Sequence, residues 1–127
     1  MLTKTTTKRG QLAAQFMQAF RDHDTDGILK LMNAHPVWEF AVGPEPHGVI
    51  HSGKTAVRQA IENTWKNFPD IYYTDLRIYD AGDSVIYEVL TESKSKNLKV
   101  QSVDILSFDS DDKVSTKRTY RKVVTKQ

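Results

Sequence analysis

The chain has 127 residues and a mass of 14.5 kDa, enough for one ordinary domain and too little for two separate cores. Hydrophobic residues make up 39% and charged residues 27%, which excludes a disordered chain, and the lack of any cysteine excludes disulfides, thiolate zinc sites and a cysteine nucleophile. The net charge of +2, from 18 basic and 16 acidic residues, is too weak and too mixed to point to nucleic acid.

Residues 1–9 are polar and are expected to form a frayed tail, which leaves 10–127 as a single domain. The tail lacks the apolar stretch of a signal peptide, and no later run approaches the roughly 20 apolar residues of a membrane helix. A cytoplasmic protein with no membrane partner is therefore expected. Leu12, Phe16 and Phe20, with Ala13 and Met17 beside them, make the stripe of a first helix. A short second helix follows with Ile28, Leu31 and Met32 inward and Thr25 or Asp26 as its cap. His35-Pro36 ends it, because the residue before proline avoids the helical region. Residues 37–42 read as a strand and 43–48 as a Gly/Pro loop. A third helix over 53–67, capped by Ser52, carries Val57, Ala60, Ile61, Thr64 and Trp65 at helical spacing. Beyond Pro69-Asp70, four strands are expected at about 71–80, 84–93, 98–108 and 114–124, joined by tight polar turns that force antiparallel pairing. The fold class is α+β, with helices on one face of a curved sheet.

Three clusters invite functional readings that their surroundings do not support. Asp22-His23-Asp24-Thr25-Asp26-Gly27 matches the front half of a calcium loop, but its ninth and twelfth positions are Lys30 and Asn33, so a polar turn with a helix cap fits better. His47 and His51 have metal-ligand spacing only on a helix, and Gly48 and the prolines argue against one; no metal is expected. Residues 113–127 hold six cations and no acid, but Tyr120 is their only aromatic, which reads as a charged strand edge and not as a nucleic-acid surface.

Asp104 is more informative. Within Val103-Asp104-Ile105-Leu106-Ser107-Phe108 it shares a face with Leu106 and Phe108, and an isolated acid on an apolar face is costly unless it is neutral, paired or reactive. Glu88 is the other mid-strand acid, grouped with Ile86 and Leu90, while Tyr87 lies with Val85 and Val89. Both faces of this strand are apolar, so a homodimer through the convex sheet face is expected.

In order and spacing, several pieces resemble the SnoaL-like proteins of the nuclear transport factor 2-like superfamily, over residues 12–123. They are Phe16-x3-Phe20 leading to Thr25-Asp26 and Ile28-x2-Leu31, Val37-Trp38-Glu39, His51-Ser52-Gly53-Lys54-x-Ala56-Val57-Arg58, Trp65-x2-Phe68-Pro69-Asp70 and Gly82-Asp83-x-Val85. The resemblance implies a cone-shaped α+β barrel: three helices packed in a strongly curved mixed or antiparallel sheet, with a four-strand C-terminal meander and one deep pocket. Members include polyketide cyclases, ketosteroid isomerase, limonene epoxide hydrolase, scytalone dehydratase and non-catalytic transport factors. Asp104 takes the place of the isomerase's oxyanion-hole aspartic acid. Phe40 or Ala41 stands where that enzyme has its base, and residues 16–20 offer no tyrosine, which argues against steroid isomerisation. SnoaL-like cyclases use a strand aspartate as acid/base, often with a histidine, which nominates Asp104 and His51. The Asp often found after the final aromatic is missing, since Tyr120 is followed by Arg121. For the last strand, apolarity favours Val114, Thr116 and Tyr120 inward, whereas the resemblance favours Lys117, Thr119 and Arg121.

The expected function is small-molecule binding, as a cofactor-free isomerase, cyclase or hydrolase acting on an apolar, ring-bearing substrate. Asp104 would move a proton and Tyr87 or His51 would donate to the oxyanion. Trp38, Phe40, Trp65 and Tyr72 would wall the pocket together with Phe16, Phe20, Leu106, Thr119 and Arg121. The alternative of another class is a ligand-binding or dimerising module without chemistry, in which Asp104 is salt-bridged.

Overall fold

The computed structural model describes residues 7–125. Helix α1 (Lys8–Arg21) starts where the Thr7 side chain accepts a hydrogen bond from the Gly10 N–H, a side-chain cap on an otherwise orphaned donor. The ordered fold therefore begins before residue 10, and the part of the expected tail at 1–6 lies outside the described residues. Arg9 fixes this end of the helix. Its Nε donates to Asp112 at 2.9 Å, its two terminal nitrogens donate to the Gly82 and Asp109 carbonyls, and its guanidinium lies over the Phe108 ring.

Helix α2 (Thr25–Lys30) is capped by Asp24, one residue earlier than expected. The Asp24 carboxylate accepts from the Gly27 N–H at 2.9 Å, so the calcium-like motif resolves as a cap. Ile28 and Leu29 are its buried residues, whereas Leu31 is half-buried. Strand β1 (Met32–Glu39) starts five residues before the expected 37. Met32 pairs with Val114 and Val37 with Thr116, so five steps on one strand oppose two on the other. The surplus bulges out, and a bulge is where a strand tolerates Pro36, which has no N–H to donate. Strand β2 (Ile50–Ser52) is a three-residue edge strand between the expected loop at 43–48 and the third helix, where the pattern predicts no element. Helix α3 (Lys54–Asn67) takes Gly53 as its cap, at φ 88°, and no side chain caps it; Ser52 belongs to β2 instead.

The four remaining strands fall close to expectation: β3 (Tyr72–Asp80), β4 (Ser84–Ser93), β5 (Leu98–Phe108) and β6 (Val114–Arg121). The sheet order is β2-β1-β6-β5-β4-β3, with β1 and β6 parallel and every other pair antiparallel. Over Ser84–Leu90 of β4 and Lys99–Phe108 of β5 burial alternates, which fixes Val85, Tyr87, Val89, Ser102, Asp104, Leu106 and Phe108 on the inner face. Phe16, Phe20, Val57 and Ile61 of the helices pack onto that face in one core. Each such side chain contributes about 1.5–3 kcal/mol by leaving water.

Two single-residue irregularities set the inner faces of β3 and β6. Between Thr74 and Arg77, three steps of β3 oppose two of β4, and Asp75 takes φ 54°. Between Ser107 and Phe108, one step of β5 opposes the two from Val114 to Thr116. Val114 is therefore inward, opposite Phe108, while Lys117 and Thr119 are inward too, opposite Leu106 and Asp104. The apolar reading holds for Val114 alone and the resemblance for Lys117 and Thr119, while Thr116, opposite Ser107, lies on the outer face. Tyr120 faces out, 57% exposed.

Candidate functional site

Register brings the candidate residues together. Tyr87, Asp104 and Thr119 are direct partners on β4, β5 and β6, and Trp38 is the direct partner of Lys117. These rows meet under α1 and α3 at a cavity of about 110 Å³. Its wall includes Met17 and Phe20 from α1, Ile61, Thr64 and Trp65 from α3, and Trp38, Phe40, Tyr73, Tyr87, Val89, Asp104 and Lys117 from the sheet side. Aromatic rings dominate: Phe20 stacks on Trp38 at 5.6 Å and meets Trp65 and Tyr73 edge-on.

Asp104 is 5% exposed and its charge is compensated on one side. Thr119 Oγ1 donates to Asp104 Oδ1, and Lys117 Nζ donates to Thr119 Oγ1 at 3.0 Å while lying 3.6 Å from the same carboxylate oxygen. Lys117 is held over the Trp38 ring at 4.6 Å and near Phe20 at 5.5 Å, so a mostly buried ammonium is compensated by a carboxylate and by ring faces. The Tyr87 hydroxyl is fully buried by the Asp104 carboxylate without a well-formed hydrogen bond to it. Burial first, and the Asp104 charge second, push its pKa well above the usual phenol value. Burial raises Tyr73 to about 12 for the same principal reason. Both phenols are therefore neutral proton donors at neutral pH.

The remaining candidates sort clearly. Trp38, Phe40, Trp65 and Phe20 line the cavity, and Thr119 reaches it through Asp104. Phe16 and Leu106 are 0% exposed in the core behind the wall and do not line it. Tyr72 is an exposed residue, and Tyr73 takes the pocket position. Counting back by twos from inward Leu76 lands on residue 72, and the extra residue at Asp75 moves the inward position to 73. Arg121 is the last residue of β6 and exposed, so it stays outside the cavity. His51 sits on edge strand β2, its ring 4.5 Å from Phe40, and does not line the cavity, so it is not the partner of Asp104.

Sequence reasoning left Tyr73 and Thr64 out of the site and brought Lys117 inward only through the resemblance. It also missed His23, which stacks flat on Trp65 at 4.6 Å and bonds the Ile71 carbonyl. Lys117 had a signal, since it alternates with Thr119 opposite Asp104. Among the described residues no three His, Asp or Glu side chains converge as metal ligands, and no helix is long and apolar enough to cross a membrane.

A sequence profile of the SnoaL-like domain matches residues 13–116. Comparison with curated proteins finds no match. Among solved structures the chain is similar to an NTF2-like protein of unknown function from Mesorhizobium loti, at 23% identity over 96% of this chain and 100% of that one, with a TM-score of 0.72. A SnoaL-like protein of unknown function from Burkholderia thailandensis E264 gives 18% identity over 94% and 100%, with a TM-score of 0.77. SalBIII, an epoxide hydrolase/cyclase-like enzyme with a role in pyran ring formation in the polyether salinomycin, gives 18% over 91% and 92%, with a TM-score of 0.72. At these identities the likeness establishes the fold and leaves the reaction open.

Proposed function

Because the chain belongs to the SnoaL-like family, we propose that it is a small-molecule-binding protein working as a cofactor-free acid/base enzyme on an apolar, ring-bearing substrate. The observation that carries this reading is Asp104, a 5% exposed carboxylate at an aromatic-walled cavity, with Oδ1 engaged by Thr119 and Tyr87 neutral beside it. Asp104 Oδ2 takes a proton from the carbon next to a substrate carbonyl. The C–H electron pair moves into the new C=C bond, and the carbonyl oxygen becomes an enolate oxygen. The Tyr87 O–H donates to that oxygen, and the Lys117 ammonium offsets its charge in a site of low dielectric. Return of the proton to another carbon isomerises the substrate; attack of the enolate carbon on a second carbonyl closes a ring, the C=O π pair moving onto that oxygen, which takes the proton back from Asp104. A relative with a role in pyran ring formation supports ring closure as a class of outcome, without matching the bond formed here. A cytoplasmic location and a homodimer through the outer sheet face go with this reading.

A second reading has its own observation. Lys117 and Thr119 both hold Asp104 Oδ1, as they would in a binding module where the acid only anchors a salt bridge. Deuterium exchange separates the two. Monocyclic ketones incubated with the protein in D₂O should lose their α-proton NMR signals faster than in buffer, and Asp104→Asn should slow this by at least about 100-fold. Exchange at the buffer rate, or an unchanged rate in the variant, overturns the catalytic reading and leaves the binding module.

A further inference from the structure

Lys117 carries the one amine on the cavity wall, on a side chain that is 12% exposed. A lysine held in apolar surroundings becomes a nucleophile once its ammonium gives up a proton. The structure holds a path for that proton. Lys117 Nζ donates to Thr119 Oγ1 at 3.0 Å, and Thr119 Oγ1 donates to Asp104 Oδ1. A shift of one proton along each of these two bonds turns the ion pair into a neutral amine and a neutral carboxylic acid. Low dielectric favours the uncharged pair. The Trp38 and Phe20 rings, with centroids 4.6 and 5.5 Å from Nζ, favour the ammonium, so the amine is a minor form that the relay renews. The other titratable groups of the wall are the phenols of Tyr73 and Tyr87, both held neutral, and α1, α3 and the β1 side add none. The cavity of about 110 Å³ is below the roughly 150 Å³ that takes a benzene ring, so a short aliphatic carbonyl end is what reaches Nζ.

We infer that Lys117 is a catalytic nucleophile that captures the carbonyl carbon of an aliphatic aldehyde as an imine, with Thr119 relaying its proton to Asp104. The Nζ lone pair attacks the carbonyl carbon, and the C=O π pair moves onto oxygen, which takes the proton from the Asp104 carboxyl group. Asp104 then takes a proton from the nitrogen of the new C–N bond and passes it to the hydroxyl. The C–O bond breaks, water leaves, and the nitrogen lone pair closes a protonated C=N bond. This goes beyond the proposed function, because no proton leaves carbon.

Sodium cyanoborohydride delivers hydride to a protonated imine and so fixes each adduct as a secondary amine. The protein is incubated with propanal and this reductant, and peptide mass spectrometry ranks its lysines by rate. An exposed lysine, with a pKa of roughly 10.4, is almost all ammonium at neutral pH and gains about tenfold in amine per pH unit. Lys117 exchanges its proton with Asp104 and not with water. It should therefore react at least about tenfold faster than the exposed lysines near about pH 7, and change less than about threefold between about pH 6 and pH 8. Thr119→Val, which cuts the relay, should slow Lys117 by about tenfold and give it the steep slope of an exposed lysine, and Thr119→Ser should restore the parent behaviour. Lys117→Arg, which keeps the charge, should remove the fast adduct. A Lys117 that reacts no faster than the exposed lysines, or with their pH slope, overturns the inference, as does an unchanged rate in Thr119→Val. The fast adduct without deuterium exchange on ketones upholds the inference and overturns the acid/base reading. Exchange without the adduct does the reverse.

Discussion

Lys117 and Asp104 meet diagonally across β5 and β6: Lys117 is the register partner of Leu106 and Asp104 of Thr119, yet Nζ and Oδ1 are 3.6 Å apart. Thr119 bridges them, accepting from the lysine and donating to the carboxylate. The two charges lie among rings, at 12% and 7% side-chain exposure, so water screens them poorly. Removing one strands the other. Lys117→Met should destabilise the protein by about 3 kcal/mol, whereas the double change with Asp104→Asn should recover a large part of that loss. Urea unfolding of the two single variants and the double variant closes the cycle. Additive costs would mean that the pair is not coupled.

Asp70 should make the protein sensitive to acid. Its carboxylate joins the start of β3 to the β4–β5 turn, accepting from Ser93 Oγ at 2.6 Å and from Ser95 N and Oγ at 2.9 and 2.8 Å. The Ser93 bond first, then those of Ser95, lower its pKa to about 2. A depressed folded pKa means that the folded state holds the proton less tightly than the unfolded chain. The resulting stability is full above the ordinary carboxylate value near 3.8 and is lost as pH falls towards about 2. Asp70→Asn should therefore melt below the parent at neutral pH, and the two curves should converge near pH 2. Asp112, held low by Lys8 and Arg9, keeps a residual slope in both proteins. Melting by circular dichroism across this range tests it; parallel curves would contradict the assignment.

The meander and the two long helices were legible because their signals repeat. Val57, Ala60 and Ile61 recur at helical spacing, and Val85, Tyr87 and Val89 alternate, so each element is marked by several residues. Asp104 was legible for the same reason, as a break in a regular pattern. What the pattern could not carry was a shift of one residue. An extra residue at Asp75 exchanges Tyr72 for Tyr73, and one at Ser115 makes Val114 and Lys117 share a face. His51 was misjudged because three residues of β2 are too few to show a period. Its place against Phe40, away from Asp104, depends on pairing with β1 that no local signal encodes.

The outer sheet face makes a further prediction. Ile86 and Ile105 are register partners facing away from the helices, with Leu90 and Val103 beside them, half-buried by their own sheet, and Tyr79 and Tyr120 are exposed. An isologous dimer would cover a face of this character. Light scattering of the parent at micromolar concentration should give twice the 14.5 kDa chain mass. Ile105→Lys should give the monomer, since two lysines would meet near the two-fold axis. A monomeric parent would remove the dimer from the proposal.

Gly48 couples a loop to the cavity. It is buried at φ +73°, and a Cβ there would lie 1.9 Å from the Phe40 carbonyl oxygen. That carbonyl belongs to a cavity-wall residue whose N–H already donates to Val49. Backbone cannot swing aside as a long side chain does, so Gly48→Ala must move either the loop or β1. The left-handed backbone alone costs about 1–2 kcal/mol for a non-glycine residue, and displacement of the carbonyl adds to it. The variant should lose about 2 kcal/mol or more in urea unfolding and should bind the monocyclic ketone cyclohex-2-enone more weakly, because Phe40 shifts with its backbone. Gly82→Ala is the matched control. Its φ is also positive, at 88°, but a Cβ there meets nothing within 4 Å, so it should lose some stability while keeping the ligand affinity. Equal effects of the two changes on binding would show that the loop does not position Phe40.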